Sequence, residues 1–288
     1  MRPRLFVVGL AVAAAATAPP CRSDADCGAD LWRCQEASNS TPPSPEGACH
    51  LPGPTTPGNS TCACANATCD AVVTLSANAG PRFLMIGDSV SIGAQPYVVE
   101  ALPDVSVSHN PGNADSTTVG RHCVDEWLAD VGDADVVSIN FGLHDVAYDA
   151  ERIDVDRYKA QLRAVMDNVD RWRAPSTNVL WISTTPVPTV PTFSATCNDT
   201  SACLNPPRYD DDVRLYNDAA RDVVANSTVD AVLDLYSLIV ERCGGPGYSS
   251  CDGVQLPMNV HFTAYGYGLI ANAIAEAVRG LLGEARGR

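Results

Sequence analysis

From about residue 81 onward, short and nearly unbroken apolar runs alternate with longer stretches that are apolar on one side only. The runs at 82–87, 105–109, 134–141, 178–184 and 231–235 lack the in–out alternation of a half-exposed strand, so they predict strands buried on both faces, as in a parallel sheet. Between them the pattern predicts helices over 90–102, 117–130, 155–173, 209–225 and 264–282. In the third, Val155, Tyr158, Leu162, Val165, Met166, Val169 and Trp172 recur at three- and four-residue steps behind Asp154, a candidate N-cap. Strand–helix alternation on this scale predicts an α/β fold: one doubly wound, three-layer α/β/α domain over 81–285 with a mostly parallel five-stranded sheet.

The pattern stops abruptly on the N-terminal side. Residues 19–80 carry seven cysteines and many Pro, Ser, Thr and Asn, with almost no periodic apolar positions. Such a segment has too little apolar surface for a core and is expected to be stapled by disulfides. Residues 1–18 differ again, with Arg2 and Arg4 ahead of the apolar run from Leu5 and a small-residue end at Ala16-Thr17-Ala18. This is the layout of a secretory signal peptide, too short for a hydrocarbon core that needs about 20 apolar residues.

Cysteine usage agrees with export. The chain has 12, and outside the N-terminal group stand Cys123, Cys197, Cys203, Cys243 and Cys251. Both groups are odd, so either one bridge joins them, with Cys123 paired near Cys69, or each keeps a free thiol; Cys197 with Cys203 and Cys243 with Cys251 are candidate loop staples. Sequons begin at Asn39, Asn59, Asn66, Asn198 and Asn226, which would lie on the surface of a glycosylated, extracellular protein. A net charge of −15, with 34 acidic against 19 basic residues and no basic run, argues against nucleic acid and anionic membranes as partners. No later segment is long and apolar enough to span a membrane.

The chemistry sits at the ends of these elements. Phe83-Leu84-Met85-Ile86-Gly87-Asp88-Ser89 is an apolar strand ending in a turn that presents a serine at the carboxyl edge of the sheet, where open α/β folds bind ligands. A hydroxyl is a poor nucleophile until a base takes its proton. His261, in Asn259-Val-His261-Phe-Thr263 just before the last helix, is the candidate base. Ser89 could instead merely cap its helix, but Asp88 can fill that role and leave the serine free. No Gly-x-Gly-x-x-Gly or P-loop pattern occurs, and His50, His109 and His122 lack metal-ligand spacing, so no cofactor and no metal are expected.

With Gly112 in Asn110-Pro-Gly-Asn-Ala-Asp-Ser-Thr and with Asn140-Phe-Gly142-Leu-His144-Asp145, these blocks fall in the order found in the SGNH (GDSL-type) serine hydrolases, which the domain resembles. Thr184-Thr-Pro-Val-Pro and Asp234-Leu-Tyr-Ser also look like this family. The resemblance implies a flavodoxin-like fold and ester hydrolysis through an acyl-enzyme: Ser89 attacks, His261 shuttles the proton, and the N–H groups of Ser89 and Gly112 meet the oxyanion. Two positions depart from the family pattern. His144 stands where the family has an oxyanion asparagine, as in a subgroup with Gly-Leu-His-Asp, and one imidazole N–H could serve. Met258 stands where the family has the acid, leaving a backbone carbonyl, Asn259 or Asp252 to orient His261. A rival alignment through Asp252-Gly-Val-Gln255 puts Gln255, which cannot act as a base, at the histidine position. The expected function is a secreted esterase acting on small-molecule or carbohydrate esters, with O-acetyl groups on carbohydrate first and short acyl lipids second. The alternative is a degenerate scaffold that binds an extracellular partner through its cysteine-rich segment.

Overall fold

The structure is a computed structural model and describes residues 69–148, 152–189, 204 and 206–285, together with the backbone of 20–21 and 62–63. It divides into two units, 1–67 and 68–288. In the first, β1 (Pro20–Cys21) pairs antiparallel with β2 (Cys62–Ala63). The signal-peptide segment, four of the five sequons and the Cys197–Cys203 staple lie outside the described residues. Asn226, the fifth sequon asparagine, is exposed.

The second unit is a six-stranded sheet with helices on both faces. In chain order it contains β3 (Val73–Ser76), β4 (Arg82–Ile86), α1 (Ser89–Ala101), β5 (Ser106–His109), α2 (Thr117–Val131), β6 (Val136–Ile139), α3 (Val155–Trp172), β7 (Asn178–Ile182), α4 (Asp210–Val224), β8 (Ala231–Leu233), α5 (Leu235–Arg242) and α6 (Ala264–Ala285). The sheet order is β3-β5-β4-β6-β7-β8, with every pair parallel except β3 on β5. Five parallel strands were expected, and all five form. The sixth, β3, is an antiparallel edge lying before residue 81, in the stretch read as disulfide-rich linker.

The strands bury as their composition requires. Every residue of β6 is buried, as are the last four of β4 and of β7. Strand β4, first among the parallel strands, lies between β5 and β6, so the chain steps to one side of it and then to the other. That reversal parts the loops after β4, β5 and β6 and opens a crevice at the carboxyl edge. Helix α1 packs on α6, while α2 packs on α3 and α3 on α4. Buried Tyr158, Leu162, Val165, Met166 and Val169 form the inner stripe of α3, and the Asp154 carboxylate accepts from Arg157 N at 3.0 Å, as a cap should. Trp172, counted in that stripe from its spacing, is 52% exposed because the helix ends there.

Disulfides join Cys69 to Cys123 and Cys243 to Cys251. The first ties the segment ahead of β3 to α2; the second closes the loop between α5 and the last hairpin. Among the described residues no helix is long and apolar enough to cross a membrane.

Candidate active site

The turn after β4 shows why the sequence reads Gly-Asp-Ser. A Cβ at Gly87 would stand 2.7 Å from the Ser91 hydroxyl, so glycine is needed for close approach rather than for an unusual φ. Asp88 is the N-cap of α1, its side chain accepting from Val90 N at 2.9 Å. Ser89 is therefore the first helical residue, where a backbone N–H has no partner within the helix. The cap role falls to Asp88, and the Ser89 hydroxyl goes elsewhere. It meets His261 Nε2 at 2.9 Å.

His261 arrives on a hairpin. Gln255 and Phe262 form a bridge, Thr263 N donates to Val254 O, and Leu256 N donates to His261 O. Thr263 then starts α6: its carbonyl accepts from Tyr267 N, and its hydroxyl accepts from Gly266 N at 3.1 Å. Within the loop Met258 adopts a left-handed φ of 48°, unusual without glycine. The chain then turns so that Asn259 Oδ1 accepts from both His261 N (3.0 Å) and His261 Nδ1 (2.8 Å). An amide oxygen can only accept, so Nδ1 carries hydrogen and Nε2 offers its lone pair to Ser89. Burial pushes the His261 pKa down, Asp88 opposes this, and Arg208 and His144 add to it. The ring is thus biased toward its neutral form.

Of the two candidate orienters, the structure brings Asn259 to His261 and leaves Asp252 exposed in a turn, with no hydrogen bond between Asp252 and His261 among the described residues. Gln255, from the rival alignment, is buried and committed elsewhere. It accepts from the Tyr248 hydroxyl and donates to Pro186 O at 3.2 Å.

The other wall comes from the loops after β5 and β6. Gly87 N donates to Asn110 Oδ1 at 2.8 Å, and Ala114 N donates to Gly87 O, so the loop after β5 is pinned against the nucleophile turn. Gly112 sits in this loop with φ 56° and is exposed; its neighbour Asn113 lines the cleft. After β6, Gly142 has φ 146°, and a Cβ there would meet the Thr184 hydroxyl oxygen. The next residues are braced from several sides. Arg208 Nε donates to Leu143 O at 2.6 Å, and Asp145 accepts from Thr117 N and the Thr117 hydroxyl at 3.0 and 2.5 Å. His144 projects between these anchors, its Nδ1 at 2.5 Å from Asp115 Oδ1 and its Nε2 at 3.3 Å from Asn113 Nδ2.

Together these residues enclose a cleft of about 380 Å³ lined by Ser89, Asn113, His144, Arg208, Asn259 and His261, with Leu143, Leu204, Pro206, Met258 and Val260 as its apolar part. Sequence reasoning missed Asn113, Asp115 and Arg208. The first two lie inside a motif already singled out for Gly112, so a polar loop behind a strand was their signal. Arg208, a single basic residue between prolines and an acidic helix start, carried none.

No family model matches the chain, and no curated protein matches it. Solved structures do. A GDSL-like lipase from Bacteroides thetaiotaomicron superposes with a TM-score of 0.53 at 13% identity, over 69% of this chain and 88% of its own. An acetyl xylan esterase superposes with a TM-score of 0.52 at 16% identity, over 68% of this chain and 99% of its own. At such identities the likeness is one of fold. The described α/β unit has the fold of the SGNH (GDSL-type) hydrolases.

Proposed function

We propose that this protein is a carboxylic ester hydrolase of the serine type, working through a Ser89–His261 pair that Asn259 orients. The observation that carries this reading is the 2.9 Å contact between the Ser89 hydroxyl and Nε2 of a histidine whose other nitrogen is already engaged. Ser89 Oγ attacks the ester carbonyl as His261 takes its proton, and the imidazolium returns that proton to the departing alcohol. Water, activated by the same nitrogen, then releases the acid from the acyl-enzyme. The tetrahedral oxygen is met by Ser89 N–H at the start of α1, by Gly112 N–H and by His144. The amide in place of a carboxylate behind His261 fixes the tautomer without adding charge.

The substrate class we propose is an O-acetyl ester on carbohydrate. Support comes from the half-polar cleft, the acidic surface and the acetyl xylan esterase among the similar folds. Export through residues 1–18 and glycosylation at Asn226 belong to the same proposal, supported by two disulfides and by that asparagine's exposure. Labelling with a fluorophosphonate probe tests the core of it: wild type should label and Ser89→Ala should not. A well-folded wild type that fails to label would make the protein a binding scaffold. His261→Ala should abolish turnover of p-nitrophenyl acetate, while Gln255→Ala should keep most of it in the folded fraction; the reverse would overturn the alignment that puts His261 at the base position.

A further inference from the structure

The cleft holds two histidines, and only one is explained by proton shuttling. His261 leans on an amide. His144, across the cleft, leans on a carboxylate, its Nδ1 at 2.5 Å from Asp115 Oδ1. The backbone is bent to make it. Asp115 has φ 59°, a left-handed conformation that Asp and Asn adopt more readily than other residues with side chains, and its N–H is held by Asn113 Oδ1 at 2.9 Å. This turn delivers one carboxylate to one imidazole.

We propose that Asp115 is a positioning residue that keeps His144 protonated, so that the developing oxyanion is met by an imidazolium rather than by a neutral donor. The inference rests on the esterase reading above and deepens it. In a neutral ring with Nδ1–H on Asp115, Nε2 would be a bare acceptor, matched to the Asn113 amide at 3.3 Å and useless to an oxyanion. Protonation keeps the Asp115 bond, requires the Asn113 amide N–H group now 3.3 Å away to move off Nε2, and turns Nε2–H into a donor toward the cleft that Ser89 and His261 also line. A charged donor strengthens the bond to the tetrahedral oxygen. His144 holds its proton throughout, while the transferred proton travels from Ser89 to His261 and on to the leaving alcohol.

The charges facing His144 agree. Burial alone would disfavour the cation, but the Asp115 hydrogen bond and the negative charges of Asp88 and Asp115 outweigh burial and the opposing Arg208, so its pKa is raised. His261, on the facing hairpin, is shifted the other way. One ring must be neutral and the other charged, and the site separates them in that order. Activity is then confined to a window whose acid limb belongs to His261 and whose alkaline limb belongs to His144.

Two measurements test this. The pH dependence of kcat on p-nitrophenyl acetate should be bell-shaped in the wild type. Asp115→Asn keeps the shape and tolerates the left-handed backbone, since asparagine is enriched there; it should draw the alkaline limb down by about one pH unit or more and lower kcat about tenfold, with KM little changed. Separately, NMR titration of His144 in the Ser89→Ala protein should give a midpoint above that of a free imidazole, and Asp115→Asn should lower it. A His144 midpoint at or below the free value, or one that Asp115→Asn leaves in place, overturns the inference whatever the activity. Absence of any Ser89-dependent turnover would instead defeat the esterase reading, with the titration still deciding the state of His144.

Discussion

The loop after β6 and the hairpin before α6 each deliver one histidine to the same cleft, and they are held by different means. The His144 arm is fixed by a polar network: Asp145 on the start of α2, Leu143 O on Arg208, and the ring on Asp115. The His261 arm is fixed by a short bridge, a helix start and the nearby Cys243–Cys251 disulfide, and its ring rests on a neutral amide. The amide fixes the tautomer of the ring that must cycle between neutral and charged, and forgoes the help that a permanent anion would give its imidazolium. A ring that must stay charged needs one. The contrast is that two like side chains lining one cleft differ in their partner, a carboxylate for His144 and an amide for His261, and are shifted in opposite directions.

The largest effect expected on either arm comes from the nucleophile and its base. Ser89→Ala and His261→Ala should each cut kcat for p-nitrophenyl acetate by about 10⁴-fold or more, and the double variant should be little worse, because the pair acts as a unit. Roughly multiplicative losses in steady-state kinetics would break the pairing.

Next come the two supports compared directly. His144→Ala should lower kcat by about 10²–10³-fold, as loss of an oxyanion donor does. Asn259→Ala should cost less, about 10²-fold, since it disorders the base without removing it. Equal losses, or a larger loss for Asn259→Ala, would show the base side to be the more dependent on its orienter.

A third test reads the buried network of the His144 arm through stability. The Asp145 carboxyl is fully buried with Oδ2 unpartnered among the described residues, and burial pushes its pKa up from 3.8 to about 6, against the Thr117 hydrogen bonds. The unfolded chain loses this proton near pH 4 and the folded protein near pH 6. Stability from this group is therefore complete at low pH and falls as pH rises through that window, by about 3 kcal/mol. Asp145→Asn should remove that part of the decline between pH 4 and 7 in denaturant titrations. An unchanged pH dependence would remove Asp145 as its source.

The smallest effect belongs to the covalent staple. Cys243→Ser with Cys251→Ser opens a loop of 8 residues' separation and should cost about 2–3 kcal/mol in denaturant unfolding. Activity should fall with it, while the His144 NMR titration stays in place; movement of that titration would show that the arms are coupled.

Much of the fold was legible because it is written locally. All five parallel strands and five helices were read from apolar runs and from three- and four-residue steps. Within the α/β unit two elements escaped. Val73–Ser76 is four residues long with its first position exposed, and it becomes a strand only because β5 offers a free edge. Leu235–Arg242 begins inside a run read as strand, and its start is set by the Asp234 side chain capping Ser237 N. The site was legible as positions and only partly as partnerships. Ser89 and His261 were paired from motif order, and His144 was placed on the oxyanion side; the Asp115 carboxylate was visible only as one polar residue of the Gly112 loop, with nothing to tie it to His144.

The sequence by itself determined the layered architecture, the serine at the end of the first parallel strand and the histidine before the last helix, because these follow from repeats within a few residues and from strand order. Only the tertiary structure decided that Asn259 rather than Asp252 reaches His261, that Gln255 is a buried packing residue, and that Asp115 grips His144. Those choices depend on where separate loops end up across the sheet edge, on two left-handed residues, Asp115 and Met258, that composition does not announce, and on distances of a few ångströms that no local spacing encodes.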